Sequence, residues 1–295
     1  MIHRAFHALP PLNSPDGKPT NALYGVSSIL LKIMREEKPE YAAALFDRAE
    51  PTFRAKNYAE YKAKRPKLAD ELVPQLIESH ELFNRFGVRT FDEAGLEADD
   101  LIATMAERFR KESDLKIIIL TGDLDTLQLV EDDHVYVRTF RRGISDTLIY
   151  DEAAVKERYG LRPDQLTDYK GLVGDQSDNI KGVPGVGPKT AQAIIAEYGT
   201  LDNALKHKED KKIAEKILPF ENQARLSKEL VVLRRDADIG GLELGDLEVR
   251  TDKEDLSFYF SVLGFETLSK RLNENGGGGK KEEKGKPGPT QGKIF

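Results

Sequence analysis

The sequence predicts an α/β fold: a doubly wound, mostly parallel sheet followed by a smaller helical domain. Three observations predict it. The apolar runs "YAAALFD" and "LKIIILTGDLD" suit parallel strands, the second continuous and β-branched as a strand covered on both faces should be. Stretches of helical periodicity alternate with them, as crossover connections require. Past Tyr150 the strand-like runs stop, and short helical patterns broken by Gly and Pro take over. A chain of 295 residues is long enough to bury a core in each of two domains.

The opening "MIHRAFHALPPLNSPDGKPT" is basic, aromatic and Pro-rich with no apolar strand, and its first part, "MIHRAFHALPPL", is expected to be a loop. From Asn21, residues Leu23, Val26, Ile29, Leu30, Ile33 and Met34 recur at helical spacing, with Thr20 or Asn21 as N-cap. The first strand ends at Asp47. A helix is expected over 68–86, and another opens at "LEADD", where Ala98, Leu101, Ile102, Met105 and Phe109 share a face. "HVYVRTFRRGISDTLIY" reads as a strand and hairpin at the sheet edge. The expected units are 1–150, 151–273 and a flexible tail, 274–295.

No run of about 18 apolar residues is present and the N-terminus lacks the sections of a signal peptide, which argues against a membrane or secreted protein. With no cysteine there is no disulfide, no thiolate nucleophile and no Cys-type zinc site, and a cytoplasmic setting is the default. The net charge of −6 hides a strong local bias. "FRAKNYAEYKAKRPK" carries Arg54, Lys56, Lys62, Lys64, Arg65 and Lys67 against Glu60, with Phe53, Tyr58 and Tyr61 between them. Cations interleaved with aromatics suit a single-stranded nucleic acid, although a solvated helix face gives the same composition.

In open α/β sheets ligands sit beyond the carboxyl ends of the strands, and the acids fall there. Asp47 ends one strand, Asp123 and Asp125 follow another, and Glu97, Asp99 and Asp100 open a helix on the same edge. At an effective dielectric near 20, two like charges about 4 Å apart repel by roughly 4 kcal/mol, so six in one pocket call for bound cations. Oxygen donors without His or Cys select Mg²⁺ or Mn²⁺. Each segment also has a plainer reading as a helix cap or turn, since acids complement a helix N-terminus. "GDQSDN" adds Asp175 and Asp178. An aspartyl phosphotransferase is a poor fit to "GDLDT", because Leu127 stands where Thr or Val is needed.

"GVPGVGPKTAQAII" places Gly182, Gly185 and Gly187 before Lys189 and Thr190. Pro188 separates Gly187 from Lys189, which spoils a P-loop, and no strand precedes the glycines as a dinucleotide fold would need. Helix, Gly-x-Gly hairpin, helix describes it better, a form that grips nucleic-acid backbone without reading sequence.

Taken in order, "HRAFHALP", "ALFDRAEPTFR", "YKAKRP", "LEADDLIA", "ILTGDLDTLQL", "GLVGDQSDNIKGVPGVGPKTA" and "FETLSKRL" resemble the 5′-nuclease domain of bacterial DNA polymerase I and its flap-endonuclease relatives, up to about Leu272. The resemblance implies a PIN-like sheet with two divalent metals, Mg²⁺ with Mn²⁺ able to substitute, then a helix-hairpin-helix domain holding duplex DNA with a K⁺ ion. It assigns Asp47, Glu97, Asp99 and Asp100 mainly to the first metal, and Asp123, Asp125, Asp175 and Asp178 mainly to the second, some through water. It makes Lys62 and Arg65 the catalytic basic pair and Tyr61 the aromatic beside them, and it sends Arg4, Phe6 and Arg54 to the 5′ strand. Gly182, Gly185, Gly187, Lys189 and Thr190 become the duplex grip.

The implied activity is two-metal hydrolysis of DNA phosphodiesters, as a 5′-3′ exonuclease and flap endonuclease in replication and repair. The implied enzyme is monomeric and acts on branched or nicked duplex DNA with a 5′ end or flap. The family pattern opens with an apolar strand ending in Asp-Gly, where this sequence has Met1. The expectation is a natural start further upstream, with one central strand and one metal-site Asp outside these residues. A weakly active or non-catalytic DNA-junction module is the alternative this leaves. A PIN-type ribonuclease is disfavoured by the hairpin. A polymerase domain in the same chain, or a sliding clamp bound through the terminal "QGKIF", are the remaining candidate partners.

Overall fold

The computed structural model describes residues 1–112, 114–273 and 293–294. The tail and "QGKIF" readings fall outside the described residues except at 293–294.

Helix α1 (Ile2–Ala8) occupies most of the stretch expected as a loop. That expectation is corrected by packing: Ile2 and Ala5 are buried against α2 (Asn21–Glu36), and Gly25 admits the close approach, since a Cβ there would lie 2.7 Å from that of Ala5. The pair Pro10–Pro11 blocks any continuation of α1. In α2 the residues of the expected stripe, Leu23, Val26, Ile29, Leu30 and Ile33, are buried.

Strand β1 (Ala43–Leu45) leads to α3 (Phe53–Asn57), which Thr52 caps through the Ala55 N–H. Turns fill the following basic segment, so α4 (Val73–Arg85) starts later than expected, with Pro74 in its first turn. Strand β2 (Arg89–Phe91) pairs parallel to β1. It was not legible as a strand, being three partly exposed residues. After α5 (Ala98–Phe109) come β3 (Lys116–Thr121), β4 (Val135–Arg142) and β5 (Asp146–Tyr150). Strands β3 and β4 run parallel, with Ile117 opposite Val135, and β4–β5 is the antiparallel edge hairpin.

The second half is helical, as expected. It holds α6 (Glu152–Tyr159), α7 (Leu166–Val173), a two-residue ladder of β6 (Gly174–Asp175) with β7 (Ile180–Lys181), then α8 (Pro188–Tyr198), α9 (Leu201–Ala204) and α10 (Glu221–Val231). Helices α11 (Lys253–Val262) and α12 (Glu266–Asn273) return to the first half, where Phe260 and Phe265 share a core with α1, α2 and α4. A second core runs from α5, β3 and β4 into α7 and α8. No described helix is long and apolar enough to cross a membrane.

The sheet is in two pieces, β1–β2 and β5-β4-β3-β8, where β8 (Lys293–Ile294) lies parallel to the start of β3. Between β1 and β3 lies a cavity of about 850 Å³, lined by Ala43, Leu45 and Ile117 to Leu120 among others, and the acids stand around it.

Candidate active site

The acids reach one place because β1, β3 and α5 all end or begin there. Asp47, two residues past β1, accepts the Ala98 N–H of α5 at 2.8 Å. Asp100 accepts the Glu97 N–H at 3.2 Å, closing the first turn of α5. Asp123 and Asp125 follow β3, and Asp123 accepts the Asp125 N–H at 2.9 Å. Asp175 ends β6, where one carboxylate oxygen accepts from the Ser177 N–H at 2.8 Å and hydroxyl at 2.5 Å.

These acids divide into three groups. Glu97, Asp100 and Asp178 form a buried network with the basic segment. Arg54 donates to both Asp100 oxygens at 2.7 and 2.8 Å, to Glu97 at 3.2 Å, and to the carbonyls of Leu230 and Val232 at 2.8 Å each. Tyr61 Oη bonds to Glu97 at 2.9 Å and Asp178 at 3.1 Å. Burial, with the charges of Glu97 and Asp178 adding, holds this phenol well above its ordinary range. Lys62 Nζ reaches Glu97 at 2.7 Å, and Arg65 reaches Asp178 at 2.6 Å. Lys62 itself has φ 53°, a left-handed conformation held by its N–H bond to the Asp178 carbonyl at 2.9 Å.

Asp125 and Asp175 form the second group, bridged by Lys170. Burial, with Asp123 adding and Lys170 opposing, pushes Asp125 up to about 6. Burial also pulls Asp175 upward, but Lys170 and the Ser177 hydrogen bonds outweigh it and hold this carboxyl down at about 2.

Asp47, Asp99 and Asp123 are the third group, with no Lys, Arg, His or terminal amine within 4.0 Å among the described residues. Desolvation, then Asp123 and Asp47, push Asp99 up to about 8 against the pull of Lys62.

The second and third groups line the cavity together with Lys62, Arg65, Lys170 and Arg4, whereas Glu97, Asp100 and Asp178 stand behind it. The DNA-facing roles expected of Arg54 and Tyr61 meet a different arrangement. Arg54 is 1% exposed and fully engaged by protein acceptors, and Tyr61 is 7% exposed, so neither side chain presents a face to a ligand. Phe6 packs into the core with α1 and α2, while Arg4 donates to the Gly143 carbonyl at 2.7 Å on the cavity side. Asp100 is wholly buried and its oxygens are taken by Arg54, Glu97 N–H and Arg234 N–H.

Helix α7, the turn through Gly182, Gly185 and Gly187, and α8 form the helical hairpin. A Cβ on Gly182 would strike the Val173 backbone at 2.2 Å, and Gly185 has φ +75°. Gly187 caps α8 with ordinary backbone angles and open space around it, and Lys189 is exposed beside it.

A hard divalent cation fits the donors: every one is a carboxylate oxygen, and one group of three has no counter-charge. As they stand, no three of the described acids close on a single point. Lys170, which the sequence reading missed, accounts for part of this by occupying the space between Asp125 and Asp175. Its only signal was a lysine five residues before Asp175 in "DYKGLVGD".

Residues 1–160 match the family described as "5′-3′ exonuclease, N-terminal resolvase-like domain", and residues 161–255 match "5′-3′ exonuclease, C-terminal SAM fold". The chain belongs to the 5′-3′ exonuclease family. A 5′-3′ exonuclease of Aquifex aeolicus is 37% identical over 257 residues, 87% of this chain and 86% of that one. DNA polymerase I of Bacillus subtilis is 39% identical over 279 residues, 93% of this chain. The exonuclease-family chain spans 31% of that polymerase's length. Among solved structures, zinc-bound T5 5′-exonuclease superposes with a TM-score of 0.63 at 22% identity, covering 87% of this chain and 90% of that one. The catalytic core of Rad2 with DNA substrate gives 0.53 at 17%, covering 91% and 88%. These two likenesses establish the shared fold of a resolvase-like sheet and a helical domain.

Proposed function

We propose that this chain is a divalent-metal-dependent nuclease, a 5′-3′ exonuclease and 5′-flap endonuclease that hydrolyses DNA phosphodiesters during replication and repair. The observation that carries the reading is the cavity itself, where Asp47, Asp99, Asp123, Asp125 and Asp175 face Lys62 and Arg65. Family membership supports it, as does the T5 flap endonuclease solved as a complex with DNA and metal ions. Asp47, Asp99 and Asp123 would hold one Mg²⁺, and Asp125 with Asp175 a second, Mn²⁺ substituting. When bound, such ions supply Lewis acidity and an acidified water.

The chain's own residues do the rest. Lys62 and Arg65 stand on the cavity rim, each tied to a carboxylate behind it, and their remaining donors offset charge developing on the phosphoryl oxygens. Arg54 and Tyr61 fix Glu97, and Glu97 in turn orients Lys62. The exposed cations Lys56, Lys64 and Lys67 lead a 5′ strand toward the cavity. The turn at Gly185 and Gly187, with Lys189 and Thr190, grips the duplex backbone, and a K⁺ ion is held there. A polymerase region or a sliding clamp is the proposed protein partner.

Cleavage of a 5′-flap duplex in Mg²⁺ and in EDTA tests this: metal-dependent release of the flap is expected. The absence of any three acids closed on one point favours a second reading, a junction-binding module without catalysis. Flap binding with no cleavage in Mg²⁺ or Mn²⁺ would establish that reading instead.

A further inference from the structure

We propose that Lys170 is the built-in counter-cation of the second metal position, an ammonium that bridges Asp125 and Asp175 and that a divalent ion must displace before it can engage both carboxylates. The inference rests on the metal-dependent reading above and concerns a residue that reading does not use.

Lys170 lies on α7, in the helical half, while Asp125 follows β3 of the sheet half, so the ammonium joins the two halves at the cavity wall. Its Nζ is 2.6 Å from Asp175 Oδ2 and also bonded to Asp125 Oδ1. The acceptors are held in place for it. Ser177 occupies Asp175 Oδ1, leaving Oδ2 for the lysine, and the side chains of all three bridge members are at most 19% exposed. A divalent ion shared by Asp125 and Asp175 needs the volume and the lone pairs that the ammonium uses. The neighbouring position differs: Asp47, Asp99 and Asp123 have no such cation among the described residues, so metal enters there without removing a protein charge.

Two consequences separate Lys170 from an ordinary ion pair. Metal loads in order, the Asp47–Asp99–Asp123 position first. Lys170 also trades stability without metal for weaker binding at the second position, a coupling that linkage makes reciprocal.

Isothermal titration with Mn²⁺ on the whole chain, without DNA, compares wild type with Lys170→Met and Lys170→Gln. In both variants the second Mn²⁺ is expected to bind about tenfold more tightly, within the usual range of such couplings, while the first stays within about twofold. The metal-free melting temperature should fall, and the upward shift on adding Mn²⁺ should grow. A second Mn²⁺ bound equally or more weakly by the folded variants overturns the assignment of Lys170 and leaves the metal reading standing. Wild type binding no Mn²⁺ at all overturns both. Amine acetylation of wild type followed by mass spectrometry needs no variant: Lys170 should gain reactivity as the second equivalent of Mn²⁺ binds, and unchanged protection at saturation refutes displacement.

Discussion

Asp99 and Asp100 are neighbours on the first turn of α5, yet one faces the cavity with no cation within 4.0 Å among the described residues and the other is wholly buried against Arg54. The same contrast divides the whole acid cluster. Glu97, Asp100 and Asp178 spend their charge on Arg54, Lys62 and Arg65, and so hold the sheet half to the helical half. Asp47, Asp99 and Asp123 have no matching cation within 4.0 Å among the described residues, and burial, with the charges of Asp123 and Asp47 adding, raises the pKa of Asp99. A carboxylate serves the fold when its charge is matched and serves a ligand when it is left unmatched.

The largest expected effect lies on the matched side. Arg54→Met leaves Asp100 buried without its cation and Glu97 with Lys62 alone, which costs about 3–5 kcal/mol for a broken buried ion pair. Urea unfolding measures it. A loss below about 1 kcal/mol would mean that the network is incidental and that the contrast drawn between the two groups is wrong.

On the catalytic side Lys62→Ala should lower flap turnover by about 10²–10³, the usual loss of one donor aimed at developing charge. Flap affinity should stay within a few fold. Single-turnover kinetics separates the two quantities, and equal losses in both would assign Lys62 to binding alone.

The unmatched group is most sensitive to pH. The folded-state pKa of Asp99, about 8, lies above its unfolded value of about 3.9. The folded state therefore holds this proton more tightly, and in EDTA stability should fall as pH rises from about 4 to about 8, by up to about 1.4 kcal/mol per pH unit. Asp125, at about 6, adds a slope of the same sign over the lower part of that range. Asp175, at about 2, acts oppositely, and its contribution is lost only as pH falls from about 4 toward 2. Asp99→Asn should flatten the limb above about pH 6, leaving the acid limb alone. Thermal melts across pH in EDTA check this, and an unaltered upper limb would remove Asp99 as its source.

Much of this was legible in the sequence, and its gaps have physical causes. Apolar runs and helical spacing located β1, β3, α2 and α5 because a covered strand is continuously apolar and a one-sided helix leaves a periodic trace. "LEADD" placed Asp99 and Asp100 on the right turn but could not distinguish them, because the difference is made by Arg54, more than forty residues earlier in the chain. Arg54 and Tyr61 were placed in a nucleic-acid-facing segment since a basic, aromatic run looks exposed in one dimension. Their burial depends on α10 and on Asp178, which only the folded chain brings near. Helix α1 was hidden by the prolines that follow it, Pro10 and Pro11, and β2 by having too few residues to show a period.

Asp47 belongs to both sides of the contrast, and so gives the finest test of it. Its Oδ1 accepts the Ala98 N–H and closes the start of α5, while its charge adds to the repulsion felt by Asp99. Asp47→Asn keeps an acceptor of the same shape and removes the charge. Metal-free stability should then change by less than about 0.5 kcal/mol, the Asn cap being as good as the Asp one. Asp47→Ala removes both, and should cost about 1 kcal/mol, the typical loss of a helix cap. Mn²⁺ affinity should fall alike in the two variants if charge is what the cavity supplies. An Asn variant that lost stability like the Ala variant but kept its affinity for Mn²⁺ would move Asp47 wholly to the side of the fold.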